Sequence, residues 1–215
     1  MNEIKDISWN EFLAEKKIRL SDINENSNRS KVEFHELIHE LRDKKSIESI
    51  KHYCNRIESY EYEHGGLTKE QYLAHPYRVA ILVLEQFPNV HDDYIKLALC
   101  HNIAEVSKIT PSMREELGAE IIRHVLNLTV DRKTQWDFEY KKRFYKLIGK
   151  EKITRVIKVF DKLDNLYVLS ENSNKQIKKK YLEEIKNNLL PFVIKDMPML
   201  KRKFESMILY NLELM

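Results

Sequence analysis

Glycine and proline are scarce in this chain, four and five among 215 residues. A strand-rich fold needs a turn every few residues, and those turns draw on both. A β-sandwich or barrel is therefore excluded. Only two cysteines occur, Cys54 and Cys100, far apart in sequence. They form no paired-cysteine metal or redox motif and no disulfide scaffold, and Cys100 reads as a core thiol. The 37 basic residues barely exceed the 34 acidic ones, so no charge surplus points to nucleic acid. No apolar run reaches the roughly 18 residues that span a bilayer. The first residues, MNEIKDISWNEF, carry acids and lack the apolar core of a secretory signal. These absences lead to the expectation of a cytoplasmic chain with neither membrane nor nucleic acid as partner.

What is abundant is Leu, Ile, Lys and Glu, all but Ile good helix formers. The expected class is all-α. Three starts carry the reciprocal Ser/Thr…Glu/Gln cap: Ser8–Glu11, Ser30–Glu33 and Thr68–Gln71. Thr110-Pro111 marks a fourth, with proline in the first turn. The pattern predicts helices over 8–19, 31–43, 46–61, 69–87, 92–106, 111–117, 119–128, 136–147, 151–170, 174–189 and 198–213. His64-Gly65-Gly66-Leu67 and Gly149 are predicted breaks. The polar stretch 21–30, SDINENSNRS, reads as a linker. It divides the chain into an N-terminal helical appendage, 1–30, and a main helical domain, 31–215. Trp9, Phe12 and Leu13 form an apolar stripe on the appendage, expected to pack on the domain, with a second copy of the chain as the alternative. The basic clusters at 141–143, 178–180 and 201–203 read as solvated helix faces, with an anion-binding patch as the alternative.

The chemistry sits on three predicted helices. At helical spacing, Ala98, His101, Asn102 and Glu105 share one face of the 92–106 segment. A polar face on so apolar a helix needs partners. His75 lies on a stripe with Val79 and Leu82. Asp161 stands among Ile157, Val159, Phe160 and Leu163, where an acid is expected to be paired or to bind metal. Asp161, Asp164, Asn165 and Val168 again share a face. Two imidazoles and a carboxylate with further oxygen ligands suit Mn, Fe, Ni or Zn. Such an ion polarises a phosphoryl oxygen and lowers the pKa of bound water, and Glu105 is placed to orient that water or carry a proton.

Three segments resemble the HD-domain metal phosphohydrolases, and more narrowly the RelA/SpoT-type hydrolase domain and the small alarmone hydrolases. His75-Pro76-Tyr77-Arg78-Val79-Ala80 is similar to HPxxVA. Leu97 to Val106, LALCHNIAEV, is similar to ALLHDxxED. Phe160 to Leu166, FDKLDNL, is similar to ADRLHNM. Leu117 to Ile122 resembles FGxxVA, and Leu128-Thr129 the Val-Thr that follows it. The likeness covers about residues 46–190. It implies an HD-type helical bundle holding one divalent transition metal, manganese first, with Fe2+, Ni2+ and Zn2+ as alternatives. It places the metal on His75, His101, Asn102 and Asp161, catalysis on Glu105, and nucleotide contact on Asn165 and Lys162.

The departures are specific. Asn102 stands where the motif has aspartate, so a neutral carbonyl oxygen replaces a charged one. Val106 replaces the second acid of the Glu-Asp pair. The family's Arg-Lys pair before the first histidine has no clean counterpart, Arg56 being the nearest residue. Val168 stands where the alarmone enzymes have a small hydroxyl residue. The resemblance implies hydrolysis of a (p)ppGpp-like 3′-pyrophosphate, impaired at Asn102. The alternative is an inactive HD domain that senses a nucleotide or engages a protein partner. A helical protein with accidental motif matches is the third reading.

Overall fold

Side chains set where most of the helices begin. The computed structural model describes residues 6–24, 28–64 and 66–215, and every regular element among them is helical. In chain order these are α1 (Trp9–Asn24), α2 (Arg29–Leu41), α3 (Lys44–Ser59), α4 (Lys69–Gln86), α5 (Asp92–Cys100), α6 (Pro111–Leu117), α7 (Ala119–Leu128), α8 (Phe138–Ile148), α9 (Lys152–Val168), α10 (Lys175–Glu184), α11 (Leu190–Asp196) and α12 (Lys201–Glu213). At α1 the Ser8 amide donates to Glu11 Oε2 at 2.8 Å and the Glu11 amide to Ser8 Oγ at 3.2 Å. At α4 Thr68 and Gln71 make the same exchange at 2.8 and 3.3 Å. Thr110 Oγ1 caps α6 by accepting from the Met113 amide, with Pro111 in the first turn.

The third predicted cap does not form. α2 starts at Arg29, and Ser30 lies inside it, donating its hydroxyl to Asp22 Oδ2 at 2.6 Å. The cap fails because the helix begins before Ser30, with Asn28 at the N-cap, so Ser30 is already helical. Asp22 explains why α1 runs to Asn24 instead of ending near residue 19: Arg19 and Asp22 are 4% and 1% exposed, and the helix is held by what they pair with. The predicted linker is thus helical at 21–24. Residues 25–27 of it, and Gly65 of the predicted break, lie outside the described residues.

Two further corrections matter. The helix predicted over 92–106 stops at Cys100, His101 is its C-cap, and Ile103–Glu105 form a separate 3-10 turn. The shared helical face inferred for His101, Asn102 and Glu105 therefore does not exist as such. α11 falls between the helices predicted over 174–189 and 198–213, and Pro191 lies inside it. Here it occupies the first turn, where its missing N–H is no loss. Expected helices also end or begin in short irregular turns: 3-10 at Leu169–Glu171 and Pro198–Leu200, and π at Ile185–Leu189.

α4 is the central helix. It packs against α1, α2, α5 and α9, and it is apolar on nearly every side, with Leu73, Tyr77, Val79, Ala80, Val83 and Leu84 all buried. α1 lies on α4 and α9. Phe12 is 0% exposed and stacks on Tyr167 with centroids 5.7 Å apart, and Trp9 meets Tyr210 edge-on at 5.0 Å. Leu13 points outward, 38% exposed. Gly118 joins α6 to α7 at φ +88°, a conformation that glycine reaches without strain. No described helix is long and apolar enough to cross a membrane.

Phe12 ties α1 to α9 and α12. Its replacement by alanine is expected to lower unfolding free energy by about 3–5 kcal/mol, while Leu13→Ala should change it by about 0.5 kcal/mol or less. Urea unfolding followed by far-ultraviolet circular dichroism measures both.

Candidate metal centre

His75 sits mid-way along α4, His101 caps α5 and Asp161 lies in the middle of α9. The fold brings one ligand-type atom of each to within 4.8 Å of the others. His75 Nε2 is 3.3 Å and His101 Nε2 3.8 Å from Asp161 Oδ1. Two ligands each about 2.1 Å from one ion, at a tetrahedral or octahedral angle, stand roughly 3–3.5 Å apart. The His75 contact falls in that range and the His101 contact lies just beyond it.

The rings are turned for it. His101 Nδ1 faces the Ala98 carbonyl at 2.7 Å, so it carries the proton and leaves Nε2 with a bare lone pair. That Nε2 is buried and has no hydrogen-bond partner. His75 Nδ1 meets Asp164 Oδ2 at 2.7 Å, which likewise directs Nε2 to the centre. An unpartnered buried nitrogen costs free energy, and a cation between the two rings and Asp161 removes that cost. The residues present therefore fit a divalent ion. A bound transition metal takes neutral imidazoles and an ionised carboxylate.

Electrostatics keep the acids ionised. Burial alone would raise the Asp161 carboxyl, but Lys158, with Nζ 2.9 Å from Oδ2, and the two histidines hold it well below the usual carboxylate range. Burial also opposes ionisation of Asp164. Arg78 and Arg19 outweigh it and hold that group well below the usual range too. For His75, burial favours the neutral ring, and its bonds to Asp161 and Asp164 reverse the balance upward.

The centre opens into a cavity of about 530 Å³, the size of a small-ligand site. Asn102, Glu105, Lys162 and Asn165 line it beside the three central residues. Its walls include Tyr72, Trp136, Tyr140, Phe144, Tyr145 and Tyr181. The Tyr181 hydroxyl has no hydrogen-bond partner within bonding distance. Arg132 pairs with Glu105, whose other oxygen accepts from the Val130 amide at 3.4 Å. Asn165 Nδ2 donates to Asp161 Oδ1 at 2.7 Å, so the amide is committed to the central acid. Lys162 Nζ is 3.1 Å from Glu184 and 4.0 Å from the Tyr181 ring centroid. Lys141 also reaches Glu184, at 3.0 Å. Arg56 is not among the lining residues. It lies on α3, half-exposed, 4.0 Å from Glu116.

Sequence reasoning passed over several cavity-side residues, among them Lys158, Arg78, Lys141 as a cavity lysine, Arg132, Tyr181 and Glu184. Lys158 had a usable signal, three residues before Asp161 on the same helical face. A second group, Glu120, His124 and Glu151, also has metal-like spacing. There Arg123 already pairs with Glu151 and stands 3.5 Å from Glu120, taking up the charge a cation would need.

No family model matches the sequence, and no curated protein matches it. Among solved structures, the chain is similar to a metazoan ortholog of SpoT, described as hydrolysing ppGpp and playing a role in starvation responses. The TM-score is 0.58 at 18% identity, over 80% of this chain and 98% of that one. The fold of the chain is the all-α HD-domain fold of that neighbour.

Glu184 generates a pH prediction. Burial would raise its carboxyl, but Lys162, Tyr145 and Lys141 bring it down to about 2 from 4.5. A group depressed on folding stabilises the fold above its unfolded pKa and loses that contribution as pH falls through the folded one. Glu184 therefore contributes on the order of 3 kcal/mol at pH 7, by the conversion of about 1.4 kcal/mol per pKa unit, lost between pH 4.5 and about 2. Glu184→Gln should destabilise the metal-free chain at pH 7 and flatten this acid limb, as read from urea midpoints from neutral pH down to the acid limb.

Proposed function

We propose that the chain is a metal-dependent nucleotide pyrophosphohydrolase whose substrate carries a 3′-pyrophosphate of the (p)ppGpp type. The observation that carries this reading is the buried, unpartnered Nε2 of His101 facing Asp161 and the Nε2 of His75. Its support is the aromatic and basic cavity around that point, and the ppGpp hydrolysis ascribed to a protein of the same fold. His75, His101 and Asp161 would hold the ion, with the Asn102 carboxamide as a fourth, uncharged ligand. Manganese is the first expectation and Fe2+, Ni2+ and Zn2+ are the alternatives. When bound, such an ion supplies Lewis-acid polarisation of a phosphoryl oxygen and a water of lowered pKa.

The chain's own groups do the rest. Glu105 takes a proton from the attacking water, and Arg132 fixes the carboxylate that receives it. Lys158 and Lys162, both buried, place positive charge beside the phosphates. Tyr72, Trp136 and Tyr181 provide flat apolar faces of the kind on which a purine stacks. The wall of helices keeps bulk water from the reacting group.

A second reading has its own observation. Asn102 brings no charge to the centre, and Glu105 is already engaged by Arg132 and Val130. The chain would then bind a nucleotide without turning it over.

The deciding experiment loads the purified chain with Mn2+ and measures pyrophosphate release from guanosine 3′,5′-bispyrophosphate. Expected outcomes are release that chelation abolishes, a gain of about 10-fold or more in Asn102→Asp, and a loss of about 10²–10⁴-fold in kcat for Glu105→Gln. Nucleotide binding with no release, from the unaltered chain and from the Asn102→Asp variant alike, supports the second reading. Absence of both stoichiometric metal and release overturns the first.

A further inference from the structure

Asp164 stands where the ADRLHNM-like segment has histidine, and Arg78 fills a variable position of HPxxVA. The structure joins these two residues. Asp164 is 1% exposed. Its Oδ2 takes the Nδ1 side of His75 at 2.7 Å, its Oδ1 takes Arg19 Nε at 2.7 Å, and Arg78 Nε lies 3.1 Å from both oxygens. Arg78 also reaches Asp22 Oδ2 at 3.1 Å, and Asp22 is held by Ser30. Arg19 comes from α1, outside the stretch that carries the motif likeness, and its guanidinium lies 3.9 Å over the Tyr167 ring.

We infer that Asp164 is the positioning residue of the metal centre and that α1, through Arg19, anchors it. The inference rests on the metal reading above. An imidazole can ligate through either nitrogen and can rotate about its bonds. A carboxylate on Nδ1 fixes the ring and leaves Nε2 for the ion. That matters more here than in a site with a full set of acids, because Asn102 brings no charge and the geometry of the remaining ligands carries the affinity. The carboxylate in turn needs holding. Two arginines do this, one from each side, and the second acid, Asp22, balances the second arginine. Arg19, Arg78, Asp22 and Asp164 form a connected group of alternating charge, with Glu15 as a further partner of Arg19 at its exposed edge. It acts on the centre by fixing where the His75 ring points. The N-terminal helix is therefore a part of the site rather than a detachable appendage.

Two measurements test this on the full chain. The first needs no variant: nitrogen-15 NMR of the metal-free protein should show His75 with a hydrogen-bonded, exchange-protected Nδ1 proton. A His75 ring without one overturns the inference, whether or not the protein takes up metal. The second is calorimetric titration with Mn2+ and, separately, Zn2+. Asp164→Asn should weaken the metal Kd about 10–100-fold while retaining the helical circular dichroism signal, and Arg19→Gln should weaken it less, since Arg78 still holds Asp164. A purely structural role would lower Tm in both variants and leave the Kd of the folded protein unchanged, and that result overturns the inference. If the unmodified chain takes up neither ion, the metal reading itself fails, and the NMR result still decides whether Asp164 sets the ring.

Discussion

Two carboxylates one turn apart on a buried helix set the terms for this molecule. Asp161 and Asp164 are 7% and 1% exposed, and both stay ionised. Neither charge can be withdrawn from water unless partners are brought to it. Asp164 draws Arg78 from α4 and Arg19 from α1. Asp161 draws Lys158 from its own helix and faces both histidines. His75 stands between the two acids and bonds to each. The angular setting of α4 against α9, and the seat of α1 across both, follow from satisfying these charges as much as from packing Phe12 against Tyr167.

The same demand shapes the cavity. Its cations are nearly all committed: Lys158 to Asp161, Lys162 and Lys141 to Glu184, Arg132 to Glu105. Charge is thus pre-ordered around the centre. Two atoms of the lining stay unsatisfied, His101 Nε2 and the Tyr181 hydroxyl. Of the two, His101 Nε2 faces Asp161 and the His75 ring, and a cation there would satisfy it.

Much of this was legible in the residues. Helix content followed from composition, and caps at Ser8, Thr68 and Thr110 followed from local chemistry. His75, His101 and Asp161 could be singled out because polar groups on apolar stripes need a reason. What failed was whatever depended on distant partners. Ser30 lies inside α2 and donates to Asp22, a residue eight positions away. The helix predicted through Glu105 broke at His101, and helical periodicity had placed His101 and Glu105 on one face. They nevertheless line one cavity, because the turn at Ile103–Glu105 redirects the chain. Arg56, chosen by its place in the sequence, lies on another surface. Asp164 was visible as a neighbour of Asp161 on its helical face, but nothing local told that it would meet an arginine from the first helix.

Helical class, cap chemistry and the identity of the ligand-type side chains are local properties, written in spacing and in hydrogen bonds within one turn. Those can be read from the chain unfolded. The convergence of three helices on one point, the ring orientation of each histidine and the pairing of Arg19 with a helix 145 positions downstream exist only once the helices have assembled. Burial is the reason: a charge in water accepts any partner, while a buried charge must be met by particular atoms in particular places, and only the folded chain says which atoms those are.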